Sequence, residues 1–262
     1  MTSLQTSWRG HALDDALALA EGSSRTIGNF VSPDVRTWVA SPEQGLSADV
    51  EPVRGATQTT DALARLAPSD LTVVAAVLSD DACWAEITRV GNGEPETCVA
   101  GLTYDGGGAV SRLVWLRAPL VPASGVDAPG LPARAVEEGP SVPGGRPVLE
   151  RYFADLMGSR FDDAAAHFAV DAIYSHPPYA GGRERVLFRG REALWRGFVT
   201  ERGPSPARQV MTALWQRGGR VFVEGVIEGI PDGGTFFSTA QISSEGEIAR
   251  YVAFYSARRI PA

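Results

Sequence analysis

This sequence states one plan twice, and no other feature limits its possible folds as much. Phe30-Val-Ser-Pro-Asp-Val is matched by Phe168-Ala-Val-Asp-Ala-Ile, and Trp84-Ala-Glu by Phe222-Val-Glu. Val53-Arg-Gly and Phe188-Arg-Gly each open a helical stretch. Gly108-Ala-Val-Ser-Arg-Leu-Val recurs as Gly246-Glu-Ile-Ala-Arg-Tyr-Val 138 residues later, and Glu86 to Arg112 spans 26 residues, as does Glu224 to Arg250. A period this long is not a solenoid repeat. It is the duplication of one small fold, expected to pair internally as a pseudo-dimer.

Between the copies lies Ala118–Pro147, which holds seven prolines and five glycines in 30 residues. Proline withholds backbone donors and fixes φ, so this stretch reads as an extended linker. The predicted domains are therefore residues 1–117 and 148–262, with 118–147 between them. A chain of 262 residues has room for two cores.

The second copy sets out its elements in order. VLERYFADLMGSRFDDAAAHFA has apolar residues at helical spacing, broken at Gly158-Ser159, so it predicts two short helices with Asp162 as N-cap of the second. DAIYSHPPYAGG is a strand entering a turn, and GREALWRGF is a third helix. ARQVMTALWQ, RVFVEGVIEG, TFFSTAQISS and EIARYVAFYSA alternate as strands, separated by Gly-rich hairpin turns. The fold class is α+β, a sheet covered by about three helices in each copy.

Composition excludes some functions. Lysine is absent, so all 24 basic side chains are arginine, and neither a Schiff base nor a phosphate-loop lysine is available. The bias fits a GC-rich bacterial gene. The net charge of −7 argues against nucleic acid or an anionic membrane as partner. The most apolar run, Leu71–Leu78, is far shorter than the ~20 residues of a membrane span. The N-terminus lacks a secretory pattern, so a cytoplasmic protein is expected. Cys83 and Cys98 read as buried thiols; they could meet across a hairpin, but no disulfide is expected. The scattered histidines and cysteines show no metal-ligand spacing, and no metal or cofactor is expected.

The helix–helix–strand opening RYFADLMGSRFDDAAAHFAVDAIYSHPPY, the helix FRGREALWRGF and the closing GEIARYVAFYS resemble the nuclear transport factor 2-like superfamily. That group includes SnoaL-like polyketide cyclases, ketosteroid isomerases, scytalone dehydratase and limonene-epoxide hydrolase. The resemblance is strong over about Val148 to Ile260 and weak over about Leu13 to Arg117. It implies two cone-like α+β-barrel domains, each a strongly curved antiparallel sheet around an apolar pocket. The steroid isomerases use a helix-one tyrosine, a carboxylate base 24 residues on and an acid on a central strand. Here Tyr152 matches the first, His176 stands 24 residues on at the base position, and Ser238 falls on the third. Two of the three depart from the isomerase, which argues against steroid isomerisation itself.

The resemblance implies cofactor-free acid–base chemistry on a small apolar metabolite: cyclisation, isomerisation or dehydration. His176 would be the base and Tyr152 the donor to a developing oxyanion. Ser238, Glu224, Tyr179 and Trp195 would contact the substrate. For Glu224 a structural ion pair with Arg250, repeated as Glu86 with Arg112, is the competing reading, and His167 reads as a partly exposed surface residue. In the first copy the corresponding positions read as Asp14, Trp38 and Ala100, so that copy is expected to be degenerate, with Trp38 plugging its own pocket. The alternative is a non-enzymatic binding or assembly protein. Epoxide hydrolysis ranks lower, because no Asp–Arg–Asp set stands at strand-facing positions. Whether the pseudo-dimer pairs again is left open.

Overall fold

The computed structural model describes residues 31–40, 52–65, 69–79, 81–91, 95–119, 121, 145–179, 185–229, 231, 233–256 and 259–260. Asp14 and most of the 118–147 segment lie outside the described residues. The chain divides into two compact units. The first contains β1 (Val31–Ala40), β2 (Val53–Arg54), α1 (Gly55–Ala64), β3 (Ser69–Leu78), β4 (Ala82–Gly91), β5 (Glu96–Tyr104) and β6 (Val110–Pro119). The second contains α2 (Gly145–Met157), α3 (Phe161–Ala166), β7 (Phe168–His176), β8 (Val186–Arg189), α4 (Arg191–Gly197) with a π turn at Phe198–Arg202, β9 (Arg208–Arg217), β10 (Arg220–Glu228), β11 (Gly234–Ile242) and β12 (Ile248–Ser256). The segment read as a linker is thus strand at one end and helix at the other.

The two sheets have one topology. Their orders are β2-β1-β6-β5-β4-β3 and β8-β7-β12-β11-β10-β9. This confirms the duplication and the α+β class. Each sheet is mixed, whereas the sequence suggested an antiparallel one: β1 pairs with β6, and β7 with β12, in parallel. A strand that opens the domain can meet its closing strand in parallel because the intervening elements supply the long crossover that parallel pairing needs.

The repeated glycines have repeated geometry. Gly55 and Gly190 turn the chain from strand into helix at φ +82° and +84°, and Gly108 and Gly246 close the matching hairpins at +85° and +80°. Side chains rarely tolerate these angles, so glycine is conserved between the copies by conformation. The expected helix break is also present, with Ser159 at φ +55°. Asp162, however, is not the cap: α3 begins at Phe161 with Arg160 before it, and Asp162 and Asp163 occupy its first turn. There the helix dipole favours them.

Each sheet packs one face into an apolar core. In the first unit Cys83, Ala85, Ile87, Cys98, Ala100, Leu102, Leu113 and Trp115 face inward, with α1 joined to β1 by a buried 2.8 Å hydrogen bond between the Thr37 and Thr59 hydroxyls. Cys83 and Cys98 are both buried. Cys83 pairs with Leu102, and Cys98 with Ile87, so the thiols are out of register for a disulfide. Burial raises the Cys98 thiol to about 12. In the second unit Tyr152, Phe153, Phe168, Tyr174, Phe198, Phe236 and Tyr251 form an aromatic interior beneath α2, α3 and α4.

Candidate active site

Strand alternation selects the residues that face this interior. On β7, Phe168, Ala172 and Tyr174 join the core, which puts His176 on the same face at the end of the strand. On β12 the inward set is Tyr251, Ala253 and Tyr255. Tyr174 and Tyr251 are direct cross-strand partners, and their rings stack at 5.4 Å. His176 continues the stack, 5.9 Å from Tyr174, and touches Tyr179 at 4.8 Å and Tyr255 at 4.7 Å.

The hydrogen bonds assign the tautomer of His176. Its Nδ1 lies 2.7 Å from the Pro177 carbonyl oxygen, which can only accept, so Nδ1 carries the proton. Nε2 is then a bare lone pair and accepts from the Tyr255 hydroxyl at 2.6 Å. The Gln209 amide donates in turn to the Tyr255 oxygen. Burial lowers the His176 pKa to about 3, so the imidazole is neutral at ordinary pH. Burial also raises the phenols of Tyr152, Tyr174, Tyr179, Tyr251 and Tyr255. The phenols and the imidazole thus form an array of neutral donors and one neutral base.

The Gln209–Tyr255 bond also measures the bend of the sheet. β9 and β12 are separated by β10 and β11. In a flat sheet they would stand roughly 14 Å apart. Their side chains meet only because the sheet curls around its inner face. Gly225 sits at the β10 register shift, where a Cβ would run into the Phe236 ring and the Val210 carbonyl. Glycine therefore lets the strand bend at that point.

The predicted residues separate on this frame. Tyr152 is buried deep in the interior and donates to the Tyr174 hydroxyl at 3.3 Å; it is not hydrogen-bonded to His176. Tyr179, half-buried, also donates to Tyr174 at 3.3 Å and stands beside His176. Ser238 faces inward across from Ala253, and its buried hydroxyl stands against that of Tyr251. Glu224 is a correction: it pairs with Phe237, on the face opposite Val223 and Ser238, and so points away from the interior. Arg250 aligns with Gln241 and thence Arg220, four positions along β10 from Glu224, and β11 lies between. Trp195 is a second correction. It is 36% exposed and lines an outer groove of about 610 Å³ with Asp162, Val170 and Arg189, because α4 turns Leu194 and Gly197 inward instead. His167 is partly exposed and holds Asp155 at 2.6 Å.

Among the described residues the first unit shows no such array, and the tryptophan in its interior is not Trp38. Trp38 pairs with Val114, as Ser175 pairs with Val252, so it matches Ser175 and not His176. A one-residue offset sends a strand side chain to the other face. Trp38 accordingly lies on the outer face, with the Arg112 guanidinium 5.9 Å from its ring. Val39 takes the place of His176, Thr37 that of Tyr174, and Ala100 that of Ser238, as predicted. Trp115, fully buried, fills the interior position that Ala253 holds in the second unit.

Sequence reasoning missed Tyr174, Tyr255 and Gln209. The spacing Tyr174–His176 and Tyr251–Tyr255 on alternating strands was the available signal. Gln209 had none, since only curvature brings it near.

No family model matches the chain, and no curated protein matches it. Among solved structures it is similar to a candidate ketosteroid isomerase from Kribbella flavida, at 20% identity and TM-score 0.35, covering 45% of this chain and 81% of that one. It is similar to a candidate polyketide cyclase from Sinorhizobium meliloti, at 20% identity and TM-score 0.34, covering 41% and 94%. A protein of ketosteroid isomerase-like fold from Catenulispora acidiphila, in complex with trimethylamine, matches at 19% identity and TM-score 0.35, covering 42% and 85%. These are likenesses of fold, each spanning less than half of this chain.

Proposed function

We propose that the second domain takes a small, mostly apolar metabolite at the His176 end of its aromatic interior and carries out cofactor-free proton transfer on it, of cyclase, isomerase or dehydratase type. The observation that supports this is the His176 tautomer. With Nδ1–H held by Pro177, Nε2 is a fixed lone pair in a site of low polarity, and the phenol on it is half-buried Tyr255.

A bound ketone would draw the Tyr255 O–H to its carbonyl oxygen and free Nε2. Nε2 then takes the proton from the adjacent carbon, and the electron pair of that C–H bond moves into the enolate, whose oxygen Tyr255 steadies. The imidazolium returns the proton to another carbon or to a leaving hydroxyl. Burial opposes charging of His176, so the step depends on the enolate forming beside it. Tyr152 has a supporting place: its hydroxyl donates to that of Tyr174, whose ring stacks on His176.

Deuterium exchange from deuterium oxide into 2-tetralone tests the reading. The wild type should promote exchange, and His176→Gln and Tyr255→Phe should each lower the rate by about a hundredfold or more while remaining folded. Undiminished exchange in His176→Gln would sink the assignment. A binding role without turnover is the second reading. It is favoured because Glu224, the one buried carboxylate among the described residues of this domain, faces away from the interior. The same geometry leaves epoxide hydrolysis without paired buried acids among the described residues of this domain.

A further inference from the structure

Arg202 closes the π turn after α4. The Gly203 N–H donates to the Phe198 carbonyl at 3.0 Å, the i→i+5 bond of that turn, so Arg202 follows Phe198 by about one turn and lies toward the same side. Phe198 faces the interior, its ring 5.5 Å from Tyr174 and 6.3 Å from Tyr152. The Arg202 Nη1 donates to the Gly203 carbonyl at 3.0 Å and to the Leu156 carbonyl, in the last turn of α2, at 3.4 Å.

Those carbonyls hold the guanidinium in place, because the C-terminal end of a helix favours a cation, but they leave its charge unbalanced. Among the described residues no carboxylate pairs with Arg202, and its Nε–Nη2 edge meets no protein acceptor. Glu201, its chain neighbour, is exposed, and its charge bears on Tyr179. Arg202 is half-buried and lies one turn beyond Phe198, whose ring packs 5.5 Å from that of Tyr174, and its charge bears on His176, Tyr174, Tyr179 and Tyr255 in keeping with that place. Arg185, the other cation acting on His176, is already engaged by Ser175 and the Ala253 carbonyl. In a chain of net charge −7 this is a local positive spot beside phenols and a neutral imidazole.

We propose that Arg202 reads a carboxylate, so that the ligand of this site is a small acid with an aromatic or alicyclic body. The body stacks among the tyrosines, and the carboxylate takes the Nε–Nη2 edge as a bidentate pair, a geometry that suits arginine and not lysine. This rests on the reading of the interior as the ligand site, and refines it by naming the class of ligand.

The test is calorimetric titration of the full chain with 1-naphthoate and with uncharged 1-naphthamide. The wild type should bind naphthoate at least about tenfold more tightly. Arg202→Gln should bring the two within about twofold of each other, and Arg202→Lys should keep only part of the preference. His176→Gln should keep the preference, so loss of the proposed chemistry and loss of carboxylate recognition are told apart. Equal binding of the two probes by the wild type, binding of neither, or a preference that survives in Arg202→Gln would each overturn the proposal. The wild-type comparison needs no variant to fold.

Discussion

A buried histidine titrates the whole fold. His176 is neutral when folded down to pH about 3, whereas an unfolded histidine gains its proton near 6.5. Between those values the unfolded state binds more protons, so stability rises with pH across the window and falls as pH drops, by about 1.4 kcal/mol per unit. Denaturant unfolding between pH 7 and 4 should show this slope in the wild type and a flatter one in His176→Gln. Ser238 gives a second prediction. Its buried hydroxyl stands against that of Tyr251, so Ser238→Ala takes away the polar neighbour of a buried phenol. The variant should lose about 1 kcal/mol of stability in denaturant unfolding, and an unchanged or raised stability would show that the contact contributes nothing. At this scale the sequence revealed His176, Tyr152, Tyr179 and Ser238 as inward-facing. It misplaced Glu224 and Trp195, because an apolar neighbourhood along the chain does not say which face of a strand or helix a side chain takes.

Among the elements, curvature makes the site. The bend at Gly225 brings β9 to β12, and with it Gln209 to Tyr255. Gly225→Ala should cost about 1–3 kcal/mol by overpacking against Phe236 and Val210. It should also lower ligand binding more than an equally destabilising change elsewhere in the core. Unfolding midpoints and naphthoate titration of the same samples would check this. Strand positions and turn glycines were legible in the sequence. The parallel pairing of β7 with β12 was not, since adjacency of distant strands is decided by the crossover and not by local pattern. The Trp38 assignment failed for a related reason: the two copies run 137 residues apart over β1 and β7 but 138 over the closing strands, and one residue decides the face.

At the level of the whole molecule, the copies share a sheet order but not an interior. Trp115 fills the first core at the position that the much smaller Ala253 holds in the second. One naphthoate per chain is therefore expected by calorimetry. Trp115→Ala should destabilise the first domain by about 3–5 kcal/mol through the cavity it leaves. A stoichiometry of two in the wild type would show that the first interior also takes ligand.

The amino-acid sequence alone determined the duplication, the α+β class, the helix and hairpin boundaries within a few residues, and the exclusion of lysine chemistry. Each of these is written in short-range periodicity, in glycine and proline, or in composition. Only the tertiary structure decided the sheet order, the face on which Glu224, Trp195 and Trp38 lie, and the contacts of His176 with Tyr255 and, through it, Gln209. Those depend on how far a sheet curls and how strands far apart in the chain come into register. These are properties of long-range packing, which no local stretch of sequence carries.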